Sequence, residues 1–153
     1  MDPNMERLID YSDSDVDLLA RLMRAEAIGE GEHGMLLVGN VVVNRVLCAS
    51  PDFKKTNTVQ QVVYQTPGGF SGVKSELFKT ASTEEEKALA KQVLDGNTFW
   101  PASRALWFYA PSGNAACQPK WFNQQNVGKF KNHCFYIPDE GMCMAEVIPE
   151  SSK

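Results

Sequence analysis

The stretch RAEAIGEGEHG, from Arg24 to Gly34, holds the residues best suited to acid–base chemistry. It contains three carboxylates and an imidazole, which belong to Glu26, Glu30, Glu32 and His33. A carboxylic acid that stays protonated near neutral pH can donate a proton to a leaving oxygen, as in cleavage of a glycosidic bond. The stretch therefore either holds a general acid or is an ordinary helix end with a solvated acidic face.

Helical spacing singles out Glu26 among these four residues. It stands at i+7 on a face whose earlier positions i, i+3 and i+4 are Leu19, Leu22 and Met23. A carboxylate on an apolar face is either desolvated, which raises its pKa, or held in a structural ion pair. Periodicity alone favours the ion pair, with Arg24, Arg45 or a lysine as the partner.

The other three residues follow the glycines that break the pattern. Glu30 is one turn beyond Glu26 but lies after Gly29, so the helical pattern does not carry over to it. Glu32 and His33 are predicted to be exposed loop residues.

Aromatic residues form a second concentration downstream. Ten of the fifteen aromatics, including all three tryptophans, fall between Phe99 and Tyr136. Aromatic faces beside amides, as in KWFNQQN, suit stacking against sugar rings and hydrogen bonds to hydroxyl and acetamide groups. For any single ring, packing in the core is the more frequent role.

A Pro-Gly-Gly turn in YQTPGGFSGV, from Tyr64 to Val73, is either a cleft-edge loop or a surface turn.

Other chemistries find less support in the sequence. A catalytic thiolate belongs at a helix N-terminus, but Cys48 follows its helix and Cys117 lies in a predicted loop. No C-x-x-C pair is present, and a catalytic zinc would require the fold to bring His33, His133 and a carboxylate or thiolate together, so no metal site is predicted. The four cysteines are either buried thiols or members of one or two disulfides, and the sequence favours neither.

Length and charge limit the class of protein. The 153 residues, 43% of them apolar, suffice for one compact domain. The formal charge of -4 is concentrated before residue 18, and the weakly basic stretch from Gly96 to Pro138 is far from a nucleic-acid footprint. The N-terminus lacks the pattern of a secretory signal, and no apolar run is long enough to span a membrane.

The predicted elements are helical in the first two-thirds and partly β in the remainder. Helices are predicted over 15–28 with a Ser14/Asp17 capping box, over 34–47, from Thr58 with a Thr58/Gln61 box, and from Ser82 with a Ser82/Glu85 box. ALWFYAP and HCFYIP are predicted strands between loops. The fold class is thus α+β, mainly α, with an acidic flexible lead-in over 1–13, a domain over 14–145 and a tail over 146–153.

Several segments together resemble the SleB/CwlJ-type cell-wall hydrolases, which degrade spore-cortex peptidoglycan during germination. The similarity spans nearly everything from Asp15 to Pro138 and is nearest to the shorter CwlJ type, including the cysteines. The segments that carry it are DVDLLARLMRAEAIGEGEHGMLLVGNVVVNRV, YQTPGGFSGV, ALWFYAPSG, CQPKWFNQQ and FKNHCFYIP.

The resemblance implies a lysozyme- or lytic-transglycosylase-like catalytic domain with a single catalytic glutamate, which maps onto Glu26. The implied reaction is protonation of the glycosidic oxygen after muramic acid, followed by attack of that sugar's own 6-hydroxyl to give a 1,6-anhydro end. One carboxylate then suffices. Substrate-binding positions carried over from the matched segments are Glu30, Tyr64, Gln65, Phe70, Trp107, Tyr109, Trp121, Phe122 and His133.

The resemblance also implies where such an enzyme acts. It would be made in the mother-cell cytoplasm and placed in the spore coat or outer cortex, retained by a coat protein and activated by calcium dipicolinate, with no cofactor required. Two alternatives to the transglycosylase stay open, namely an N-acetylmuramoyl-L-alanine amidase and a non-catalytic coat or glycan-binding protein.

Overall fold

The computed structural model describes residues 9–48, 58–65, 69–113, 115–121 and 124–138, with the backbone alone at Trp121. Its helices are α1 Asp13–Ala27, α2 Gly31–Leu47, α3 Val59–Val63, α4 Glu76–Lys79 and α5 Glu84–Leu94, with 3-10 turns at Ile28–Glu30 and Ser71–Lys74. Its strands are β1 Trp107–Tyr109, β2 Lys120–Trp121, β3 Gln124–Phe130 and β4 His133–Ile137. The predicted α+β class, mainly α, is confirmed.

Helix α2 lies at the centre of the fold because its sequence is apolar on nearly every side. Every residue from Gly34 to Val46 is buried, and α1 and α5 pack against it. Burial of so many apolar side chains from one helix supplies much of the hydrophobic stabilisation of the domain.

The side chains of Asn40, Asn44 and Arg45 are buried with α2, and each donates a hydrogen bond to the chain that follows α5. Asn40 donates to Asn97 O at 2.9 Å and accepts from Phe99 N at 2.7 Å. Asn44 donates to the carbonyls of Ala102 and Ala105 at 3.0 and 2.9 Å. Unpaired polar groups at these buried positions would be costly, so the bonds fix the course of residues 97–106 toward β1.

The break between α1 and α2 is shorter than the sequence predicts. Only the 3-10 turn Ile28–Glu30 separates the two helices, and Gly31 opens α2 with a φ of 81°. Glu32 and His33 therefore lie in the first turn of α2 instead of in a loop, although both are exposed as expected. The turn brings the end of α1 and the start of α2 side by side.

Two of the predicted capping boxes are displaced by a residue or two. Ser12 and Asp15 cap α1, and Thr83 and Glu86 cap α5. The hydroxyl of Ser82, the predicted cap, instead donates to Asp17 at 2.6 Å. This contact ties the start of α5 to α1. The Thr58 cap of α3 is confirmed, with Gln61 N donating to its hydroxyl at 3.1 Å.

Arg24 fastens the segment 77–86 to α1. Its guanidinium is buried and donates to the carbonyls of Leu77 and Thr80 at 2.7 and 2.5 Å, and it pairs with Glu86 at 2.9 Å. A buried guanidinium needs nearly all of its donors satisfied. This network holds the segment that begins at the 3-10 turn Ser71–Lys74 against the end of α1.

The four strands form one antiparallel sheet in the order β1-β4-β3-β2. The strands β1 and β4 were predicted from ALWFYAP and HCFYIP, and both predictions are confirmed. In contrast, β2 and β3 come from a stretch that is predicted as loop, since QQNVGKF has few β-branched residues. A Cys117–Cys134 disulfide joins the chain before β2 to β4.

Part of the predicted flexible lead-in over 1–13 is described by the structure, from Ile9 onward. Ile9 and Tyr11 pack partly buried against the core, and the Tyr11 hydroxyl donates to Asp95 at 2.6 Å. Residues 1–8 of the predicted lead-in and the predicted tail over 146–153 lie outside the described residues. None of the helices described has the length and apolar character needed to cross a bilayer.

The Arg24 network gives a first test. Replacement by Met keeps the length of the side chain but leaves Glu86 and several carbonyls without their donor, and we expect the free energy of unfolding to fall by about 3 kcal/mol. The control Lys79→Met removes an exposed pair to Glu76 and is expected to cost less than about 0.5 kcal/mol. Urea unfolding measures both, and equal losses would contradict the role given to Arg24.

Candidate active site

Glu26 lies in the last turn of α1 with its carboxylate half buried. Burial raises the pKa of Glu26, whereas the Gly72 N–H, His133 and Arg45 lower it, and the net change is upward. A net rise against three opposing influences means that loss of water dominates. The carboxyl group is therefore biased toward the protonated form that a general acid needs.

The backbone of Gly72 approaches the Glu26 carboxylate closely. Its N–H donates to Glu26 Oε2 at 2.5 Å. A Cβ atom at position 72 would come within 2.6 Å of the same oxygen and 3.1 Å of Ala25 Cβ. Glycine is thus required there for contact between the Ser71–Lys74 turn and the carboxylate.

Arg45 is the charged group of α2 that faces Glu26. Its guanidinium carbon lies 4.6 Å from the ring centre of Phe70 and 4.5 Å from that of Trp107, and its Nε donates to Leu106 O at 2.6 Å. Cation–π contacts on two rings stabilise a charge that burial otherwise disfavours. Burial lowers the pKa of Arg45 to about 9, which leaves it charged at neutral pH.

His133 opens β4 and reaches the site from the sheet. Its Nδ1 lies 2.6 Å from Glu30 Oε1, and its ring meets that of Phe108 edge to face at 5.2 Å. The other oxygen of Glu30 accepts from Asn132 N at 2.9 Å. Glu30 and the β3–β4 turn together hold the imidazole in one orientation.

Glu26, Arg45 and His133 line one cavity of about 510 Å³. Five of the predicted site residues meet there, and Gly69, Ser71, Phe108, Ala110 and Arg45 complete the lining. The volume lies in the range of small-molecule sites. The five predicted residues are Glu26, Phe70, Trp107, Tyr109 and His133.

The remaining predicted positions lie elsewhere. Gln65 is not among the lining residues, and its side-chain oxygen accepts a hydrogen bond from Arg45 at 3.3 Å. Tyr64 is 48% exposed and packs edge to face on Phe78, outside the lining. Glu30 is buried, and both of its carboxylate oxygens are used by protein groups. The Trp121 side chain and Phe122 lie outside the described residues.

Two features of the site escaped sequence reasoning. Arg45 was a candidate partner of Glu26 but not a site residue, although a charge within the apolar run GMLLVGNVVVNRVL was a signal for a buried functional group. The contact from Gly72 has no signal in the sequence, since it depends on a backbone N–H. Arg24, the other candidate partner, binds Glu86 instead.

Among the residues that the structure describes, no group of three or more His, Cys, Asp or Glu side chains lies close enough to hold a metal ion.

Comparison with known proteins identifies relatives of this chain. The family model described as Cell Wall Hydrolase matches residues 29–136, more than half of the chain, and that range holds the cavity residues other than Glu26. The cell wall hydrolase CwlJ of Oceanobacillus iheyensis is 44% identical over 136 residues, which cover 89% of this chain and 95% of that protein. CwlJ of Bacillus subtilis is 46% identical over 130 residues, covering 85% and 89%.

Solved structures agree with the sequence relatives. The catalytic domain of Bacillus cereus SleB superposes with a TM-score of 0.65 at 26% identity and covers 85% of this chain and 95% of that one. The catalytic domain of the germination-specific lytic transglycosylase SleB from Bacillus anthracis gives 0.63 at 26% identity, covering 82% and 96%. This chain belongs to the cell wall hydrolase family.

Proposed function

We propose that this protein degrades spore-cortex peptidoglycan during germination by cleaving the glycan strand after muramic acid, as a lytic transglycosylase. The observation that carries the proposal is Glu26, a carboxyl group with a raised pKa in a cavity lined by aromatic rings. The name of the Bacillus anthracis relative, a germination-specific lytic transglycosylase, supports the same reaction.

Glu26 is the acid in this scheme. Its proton passes to the glycosidic oxygen as the bond from that oxygen to the anomeric carbon of muramic acid breaks. Desolvation keeps the proton available, and the Gly72 N–H fixes the carboxyl group on its other side. Once it has lost the proton, the carboxylate is stabilised by the Arg45 charge.

The 6-hydroxyl of the same sugar then closes the ring on the anomeric carbon. No separate carboxylate is needed to place a water molecule. The simplest scheme returns the hydroxyl proton to Glu26, which restores the acid and leaves a 1,6-anhydro end.

Sugar recognition is assigned to the aromatic wall. Phe70, Trp107 and Tyr109 line the cavity with Glu26, and rings of this kind stack on the apolar faces of sugars. Trp121 and Phe122 remain predicted contacts on the strength of the resemblance.

Two alternatives are separated by the products. An N-acetylmuramoyl-L-alanine amidase releases free peptides and leaves the glycan intact, and a non-catalytic coat or glycan-binding protein binds cortex without releasing fragments.

The same proposal includes a location in the spore coat or outer cortex, a coat-protein partner and activation by calcium dipicolinate, all of which rest on the resemblance.

Glu26→Gln tests the acid directly. The amide can still accept the Gly72 hydrogen bond but cannot donate a proton, so we expect release of anhydro-muropeptides from cortex peptidoglycan to fall at least about a hundredfold. Mass spectrometry of the soluble products measures it. The exposed Glu32→Gln is the control and should act like the parent, and retained activity in Glu26→Gln would refute the assignment.

Gly72→Ala tests the close approach. The added methyl group displaces the Glu26 carboxylate, and a shift of about 1 Å in a catalytic group can lower the rate on the order of a hundredfold. Gly29→Ala is a matched control, because a Cβ at position 29 meets nothing within 4 Å. Initial rates on soluble cortex fragments should fall for the first variant alone, and parental rates in both would contradict this geometry.

The raised pKa of Glu26 also makes stability depend on pH. Between its ordinary value of 4.5 and the higher folded value, the native state binds more protons than the unfolded state, so stability falls as pH rises through that window. The Glu26→Gln variant has no titrating group at this position, so its stability does not fall for this reason. We expect its melting temperature to exceed that of the parent at about pH 7 and to match it at about pH 3. A variant less stable than the parent at neutral pH would contradict the desolvation argument.

A further inference from the structure

We propose that His133 is a second catalytic residue, whose Nε2 takes the proton from the attacking hydroxyl, and that Glu30 is its positioning residue. The inference rests on the proposed function and divides the acid and base roles that the simplest scheme gives to Glu26 alone.

The Glu30 carboxylate is built into the protein instead of being available to substrate. Its side chain is 8% exposed, Oε1 faces His133 Nδ1 at 2.6 Å, and Oε2 accepts the Asn132 N–H at 2.9 Å. Lys131 Nζ reaches the Glu30 carbonyl at 3.4 Å. Because both oxygens of this buried carboxylate are already bonded to protein groups, the residue that it influences is His133.

The packing around Glu30 leaves its carboxylate little freedom. A Cβ at position 34 would lie 2.7 Å from Glu30 Cβ and 3.3 Å from Oε1, so Gly34 leaves the space that the side chain fills. The glutamate is thus held between α2 and the β3–β4 turn.

This arrangement selects the form of the histidine. A carboxylate accepts hydrogen bonds, so Nδ1 carries the hydrogen in the neutral ring, and Nε2 keeps its lone pair. Nε2 lies on the opposite edge of the imidazole, and His133 lines the same cavity as Glu26. No group among the described residues forms a hydrogen bond with Nε2. A proton acceptor thus borders the space that substrate would occupy.

The reaction balances with two groups. Glu26 gives its proton to the glycosidic oxygen as that bond breaks, and the 6-hydroxyl oxygen bonds to the anomeric carbon. The hydroxyl proton passes to His133 Nε2, and the Glu30 carboxylate stabilises the imidazolium that forms. Transfer of that proton to Glu26 through water restores both groups.

Glu30→Gln separates positioning from packing. The Asn132 N–H is a fixed donor, so the amide oxygen of the glutamine must face it and the NH₂ must face Nδ1. Nδ1 then becomes the acceptor and Nε2 carries the hydrogen, which removes the base. We expect kcat to fall on the order of a hundredfold with KM nearly unchanged, and imidazole nitrogen NMR to show the tautomer switched.

His133→Asn is the second variant. The asparagine amide can replace Nδ1–H in the bond to Glu30, but nothing replaces Nε2, so the fold is kept and kcat should fall on the order of a hundredfold. The double variant Glu30→Gln/His133→Asn should then have nearly the same kcat as His133→Asn alone, because the two residues act as a unit. Glu32→Gln, in the next turn, is the control for both and should keep the parental kcat.

Parental kcat in His133→Asn would overturn the catalytic role. An unswitched tautomer in Glu30→Gln, or a switched tautomer with parental kcat, would overturn the positioning role. Either failure, alongside an inactive Glu26→Gln and anhydro products, leaves the proposed function standing. An active Glu26→Gln or products without anhydro ends would instead refute the proposed function itself.

Discussion

A helix buried on all sides must satisfy its own polar side chains, and in this protein the way α2 does so builds the active site. Asn40 and Asn44 bond to the backbone of residues 97–105, and Arg45 bonds to Leu106 immediately before β1. The strand that carries Trp107 and Tyr109 is therefore placed by hydrogen bonds from the core. Buried donors without these acceptors would destabilise the fold, so the constraint that stabilises the domain also sets the cavity wall.

The same helix supplies the charge that balances the Glu26 carboxylate. Glu26 loses water at the end of α1, and Arg45, His133 and the Gly72 N–H offset only part of that cost. The result is an acid that remains protonated at higher pH than an exposed glutamate would. Our proposal that Glu26 is the acid accounts for a desolvated carboxyl group here, because active sites commonly hold groups that lower stability.

The sequence predicted well whatever depends on local pattern. The apolar run in α2, the Thr58 cap and the strands β1 and β4 follow from periodicity and composition, and the alignment of Glu26 with Leu19 and Leu22 placed it on the inner face of α1. The strand β3 was missed because its stability comes from pairing with β4, not from its own residues. The Ser14 and Ser82 caps were wrong because neighbouring residues compete for the same role and tertiary contacts decide between them.

The site required contacts that no spacing reveals. Glu30 and His133 are 103 positions apart, and only the packing of the β3–β4 turn on α2 joins them. The Gly72 N–H is a backbone group with no identity in a sequence. The family resemblance is the basis for proposing Glu26 as the acid, whereas periodicity alone favoured a structural ion pair.

The proposed reaction is intramolecular cleavage of the glycan with Glu26 as the acid. Digestion of cortex peptidoglycan in water enriched with heavy oxygen, followed by mass spectrometry of the fragments, tests it most directly. Ring closure by the sugar's own hydroxyl predicts anhydro ends that carry no label from water. Labelled reducing ends would show hydrolysis of the glycan instead, and label at the junction of lactyl group and peptide would show an amidase, so either result would contradict the account.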